Sequence, residues 1–122
     1  MRPADSNEIL TVEETLRSAA RACDPDELNK NVGELVRSFE DDWRPATATE
    51  NLDEELRDAI DTVDPDWVDP AVPVTAATAH WLATNPADAE DQERAIREGS
   101  RLFFGEEAPE AVREWLVDRG IA

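Results

Sequence analysis

Apolar residues recur along this chain at spacings of three and four, and nowhere do they alternate with polar residues over the length of a strand. Thr11 followed by Glu14 reads as a capping box, after which Val12, Leu16, Ala19 and Cys23 fall on one helical face. Asp24, with Pro25 at the first helical position and Glu27 at the third, predicts a second helix carrying Leu28, Val32, Leu35, Val36, Phe39 and Trp43. Arg44-Pro45 would stop it, because proline excludes its predecessor from the helical region and cannot donate a hydrogen bond. A third helix is expected from Asn51-Leu52, with Leu56, Ala59, Ile60 and Val63 on one side and a break at Asp64-Pro65. The prolines between Asp64 and Pro73 then predict a loop.

The fourth helix should run from about Pro73 to Thr84, with Val74, Ala77 and Trp81 in register. Asn85-Pro86 closes it and opens a long fifth helix built on Ala89, Ile96 and Phe103, assisted by Gln92 and Gly99 and ended by Gly105. A sixth, from Pro109 to Arg119, buries Val112, Trp115 and Leu116 and ends at Gly120. The pattern therefore predicts an all-α fold over residues 1–122: about six short-to-medium helices packed as antiparallel hairpins, with residues 1–8 a loose N-terminal arm.

Two stretches of this pattern match each other. Glu13 to Leu28 aligns without gaps on Asp53 to Val68 at an offset of 40, so that Glu14, Leu16, Arg17, Ala19, Asp24, Pro25 and Asp26 recur as Glu54, Leu56, Arg57, Ala59, Asp64, Pro65 and Asp66. A period near forty suits two or three stacked hairpins of the HEAT kind, in which each hairpin covers its neighbour's apolar face. Convergent capping around Asp-Pro-Asp in a compact bundle is the competing explanation.

Charge changes what can be asked of the surface. Thirty Asp and Glu face twelve basic residues, Lys30 the only lysine among them, for a net charge of −18. At ordinary ionic strength that much like charge opposes a compact state. At about 1 M salt the Debye length shrinks to about 3 Å, and carboxylates can crowd while holding water and K⁺. The composition is thus that of a halophilic cytoplasmic protein. The lone Cys23 has no disulfide partner or zinc-ligand spacing, which fits a reducing compartment. No signal-peptide core or membrane span is legible.

Few constellations suggest chemistry. Asp64, Asp66 and Asp69 lie close enough to bind a hard cation, but without the glycine and terminal Glu of an EF-hand loop. Glu55 with Asp58, and Glu90 with Glu93, have the i, i+3 spacing by which facing helices hold Mg²⁺, in the reverse of the order found in MazG-type pyrophosphohydrolases. His80 has no nameable acid partner or nucleophile, and Cys23, in core register with no nearby base, reads as a structural thiol. No catalytic, metal or cofactor site is therefore assigned.

Residues 1–93 hold 24 acids and 7 bases, whereas residues 94–122 hold 6 acids and 5 arginines. On the fifth helix Arg94, Arg97 and Arg101 fall within an arc of about 60°. With Phe104 and Trp115 they have the composition of an interaction surface. The bland alternative is local pairing of Glu90 with Arg94 and Glu93 with Arg97. The expected function is a non-enzymatic interaction or adaptor module that meets a protein partner or a second copy of itself. A helix-turn-helix DNA-binding regulator is the alternative, opposed by the net charge and by Glu106, Glu107, Glu110 and Glu114. A small carboxylate-metal enzyme is a further alternative.

Overall fold

A computed structural model describes residues 11–46 and 51–121, apart from the side chain of Ala89. The arm expected over residues 1–8 lies outside the described residues, as does Ala89 as a core position. Among the described residues there are six α-helices and no strand: α1 Val12–Cys23, α2 Lys30–Arg37, α3 Leu52–Val63, α4 Ala71–Thr84, α5 Gln92–Phe104 and α6 Glu110–Asp118. The all-α reading holds.

The capping box at α1 forms in both directions: Thr11 N–H donates to Glu14 Oε1 at 2.9 Å, and Glu14 N–H donates to Thr11 Oγ1 at 3.1 Å. Two further first-turn donors of α1 reach across the chain, Val12 N–H to the Arg44 carbonyl at 2.9 Å and Glu13 N–H to that of Asp42 at 3.2 Å. The loop after α2 thereby closes the exposed end of α1.

The second helix departs from expectation. Asp24 does not start it; Asp24 ends α1, and its carboxylate accepts from Leu28 N–H at 3.0 Å and Asn29 N–H at 2.9 Å. The N-cap is Asn29, whose side chain accepts from the N–H groups of Asn31 and Val32. Helix α2 stops at Arg37, so Phe39 is buried from a turn while Leu28 and Trp43, expected inside, are 81% and 74% exposed. The fifth helix also starts later than expected. A 3₁₀ turn spans Pro86–Glu90, and Asp91 then caps α5 through a bond from Arg94 N–H at 3.2 Å.

The forty-residue recurrence is structural. Helices α1 and α3 each contain 12 residues and end on an aspartate with nearly the same backbone, φ −144° at Asp24 and −142° at Asp64. Asp64 Oδ2 accepts from Asp69 N–H at 2.7 Å, and both turns place a non-glycine residue in the left-handed region, Glu27 at φ 54° and Trp67 at φ 53°. The equivalent residues Asn29 and Asp69 then meet, with Asn29 Nδ2 donating to Asp69 Oδ2 at 2.9 Å. Asn31 Nδ2 donates to the same oxygen at 3.2 Å. Contacts between the hairpins run crosswise, α1 against α4 and α2 against α3, with α2 also touching α4. The result is a compact bundle in which α1 and α3, with the turns that follow them, are built alike, while the second helices differ, α2 having 8 residues and α4 14.

Helix α4 is its centre. Eleven of its 14 residues are buried, nearly all Ala, Val or Thr, and α1, α3 and α5 pack around it. Its buried hydroxyls are satisfied within the helix, Thr75 donating to the Ala71 carbonyl at 2.7 Å and Thr78 to that of Val74 at 2.8 Å. Pro73 sits in the first turn, where a missing N–H leaves no bond unmade. Helix α5 approaches closely at Gly99, where a Cβ would stand 2.6 Å from the Ala77 carbonyl oxygen. Val112 and Leu116 of α6 close a second cluster with Cys23, Val74 and Ile96.

Candidate functional site

The helical period of α5 divides its residues between a core face and a solvent face. Ala95, Ile96, Gly99, Ser100 and Phe103 face inward, which leaves Arg94 and Arg101 exposed and Arg97 half-buried on the other side. The three arginines thus share one face, and each has a carboxylate at the margin of ion-pair range. Arg94 Nε stands 3.4 Å from Asp88, Arg97 Nε 3.6 Å from Glu98, and Arg101 Nη1 3.4 Å from Glu98. Among the described residues the pairs Glu90–Arg94 and Glu93–Arg97 do not form; the carboxylates come from the 3₁₀ turn and from within the stripe.

The contrast with Arg44 shows how loosely the α5 arginines are held. Arg44 bridges Asp42 and Glu55 through four side-chain bonds of 2.6–3.1 Å. Those bonds hold the Asp42 carboxyl below its ordinary range. On α5 the guanidiniums keep most of their donors for another acceptor.

Apolar surface lies beside them. Leu102 follows Arg101 and is 56% exposed. Phe104 is half-buried, set edge-on to Phe103 at 5.2 Å between ring centres, and packs against both core clusters. Trp115 is half-buried on α6, with the Arg119 guanidinium 4.0 Å above its ring, and Val117 is exposed. The expected residues are therefore divided: Arg94, Arg97 and Arg101 share the outer face of α5, while Phe104 and Trp115 pack against the core clusters and Trp115 is covered by Arg119. Leu102, the apolar residue most available to a partner there, lay off the expected arc, as did Glu98, whose pairing with Arg97 and Arg101 only the structure shows.

Of the other carboxylate candidates, Asp64, Asp69 and Glu55 serve the fold, while Asp58, Asp66, Glu90 and Glu93 are exposed. Asp64 is buried and holds Asp69 N–H, while Asp69 caps α4 through Ala71 N–H at 3.1 Å and takes the Asn29 and Asn31 amides. Glu55 is taken by Arg44. Among the described residues no three His, Cys, Asp or Glu side chains are grouped to hold a metal ion. Cys23 is buried, 3.8 Å from Thr78 Oγ1, and burial pushes its thiol up to about 11, so it is not a thiolate at neutral pH.

His80 is half-buried against the Phe103 ring at 5.9 Å, and burial lowers its pKa. Arg57 stacks 4.1 Å over the same ring and donates to the Phe103 carbonyl at 2.7 Å, tying α3 to the end of α5. The imidazole stands beside aromatic and guanidinium planes, and among the described residues its Nδ1 is buried without a hydrogen-bond partner.

No protein-family model, no characterised protein sequence and no solved structure matches the chain. The site is therefore read from its chemistry alone.

Proposed function

We propose that this chain is a non-enzymatic protein-interaction module of a high-salt cytoplasm, whose contact surface is the arginine face of α5 with Leu102. The observation that carries this reading is a set of guanidiniums held no closer than 3.4 Å by their own carboxylates, beside an exposed leucine. Such a surface suits a partner that offers acidic side chains around an apolar centre. In high salt long-range steering is screened, so binding depends on direct pairs and close packing.

A DNA-binding role is disfavoured by α6. Its outer face carries Glu110, Glu114 and Asp118 at i, i+4 and i+8, all exposed, where a recognition helix would need donors.

Site-specific photocrosslinking in a high-salt host tests the proposal. A photoreactive residue at Leu102 should give a discrete adduct that disappears when Arg97 and Arg101 are both changed to Glu. The same probe at Glu34, exposed on α2, should give none. Absence of any Leu102 adduct, or adducts indifferent to the arginines, would refute the reading.

A further inference from the structure

The two aspartate turns carry a second surface that the arginine face does not explain. Each turn closes on its aspartate carboxylate, forces residue 27 or 67 to positive φ, and sends the next residue outward. Those next residues are Leu28 and Val68, equivalent in the forty-residue recurrence and 81% and 72% exposed. The Asn29–Asp69 bond joins the turns, so the two apolar side chains belong to one region of surface. A non-glycine residue in the left-handed region is strained, and here it is built twice, once with a tryptophan. Around the apolar pair stand Asp26, Glu27 and Asp66, exposed and, among the described residues, without an ion pair.

This is the chemistry complementary to α5: unpaired acids around aliphatic side chains on one side, loosely paired arginines beside Leu102 on the other. We infer that the paired turns of one copy dock on the α5 arginine face of a second copy, in head-to-tail association. The inference rests on the interaction reading of α5 and names its partner. Turn-to-turn pairing is opposed because it would bring Asp26, Glu27 and Asp66 against their own kind, whereas the head-to-tail contact sets them against Arg94, Arg97 and Arg101. A contact of this heterologous kind propagates into a ring or an open chain of copies according to its rotation.

Sedimentation of the full chain over a concentration series in about 3 M KCl tests it, where fields are confined to contact distance. The wild-type chain should associate. Three variants, Leu28→Ser with Val68→Ser, Asp26→Arg with Asp66→Arg, and Arg97→Glu with Arg101→Glu, should each weaken association by at least about tenfold, as loss of an interface centre does. All the substituted positions are exposed or half-buried, and unchanged circular dichroism confirms folding. Mixing the second and third variants should restore association, because each then offers the other's complement. A wild-type chain that stays monomeric at every concentration overturns the inference, while a Leu102 adduct of another mass would leave the interaction reading standing. Sensitivity to the arginine variant alone, or failure of the mixture, overturns the head-to-tail contact and again spares that reading. A monomer that also gives no Leu102 adduct ends both.

Discussion

At His80 a single side chain links packing to pH. Its ring lies against Phe103, burial disfavours the imidazolium, Asp53 opposes that effect and Arg57 adds to it, and the folded pKa falls below the ordinary 6.5. The unfolded chain therefore binds a proton more readily than the folded one. The stability that His80 contributes is complete above about pH 6.5 and is lost as pH falls through the folded value. His80→Gln should remove this dependence. Urea midpoints at about pH 7.5 and pH 5.5 should drop on acidification for the wild-type chain and drop less for the variant. Equal drops would mean that the ring takes up its proton as readily in the folded chain as in the unfolded one. Position 80 was legible in the sequence as the only imidazole, but its neighbours were not, because Arg57 and Phe103 reach it from two other helices.

At the scale of elements, the sequence was most legible where local chemistry and tertiary contact agree. The Thr11–Glu14 box opens α1 as read, and α3 spans the expected residues because Leu52, Leu56, Ala59 and Ile60 form a true one-sided stripe. Asp24-Pro25 was read as a helix start and Asp64-Pro65 as a helix break, although the recurrence aligns the two. Consistency between the copies favours the break, since in both a carboxylate that accepts from the backbone N–H five residues ahead makes a turn, Asp24 taking the one four ahead as well. Helix α4 was under-read for another reason: a helix buried on every side has no polar face, so periodicity marks only part of its core.

Two predictions belong to these elements. Asp24→Ala and Asp64→Ala should each cost about 1–2 kcal/mol in unfolding free energy, the range for loss of a capping acceptor. Because Asn29 and Asp69 join the turns, the double variant should depart from additivity by at least about 0.5 kcal/mol; strict additivity would show that the turns are independent. Gly99→Ala gains helix propensity worth about 1 kcal/mol. It also drives a methyl to within 2.6 Å of the Ala77 carbonyl and 3.0 Å of Trp81 Cβ. Overpacking of about 1–3 kcal/mol should prevail and lower the midpoint, whereas a stabilised variant would show that α5 can withdraw from α4 at little cost.

For the whole molecule, the acidic coat and the interaction surfaces meet in the response to salt. Of the acids, 24 lie in residues 1–93, where exposed Glu34, Glu40, Glu54 and Asp58 form no ion pair among the described residues. At about 0.1 M salt the screening length is about 10 Å, long enough for such carboxylates to repel one another across neighbouring helices. At about 3 M they act only at contact, so the folded state loses a penalty that the expanded chain hardly carries. The urea midpoint should therefore rise with KCl. The combined variant Glu34→Gln, Glu40→Gln, Glu54→Gln and Asp58→Asn should be more stable than the wild-type chain at low salt and gain less from added KCl. None of the four belongs to the paired turns or to α5, so association in high salt should be unchanged in this variant even as its salt dependence of folding flattens. An unaltered salt slope would mean that KCl acts through apolar burial or cation binding elsewhere, and that the excess of acids on the first four helices does not set the salt requirement of the fold.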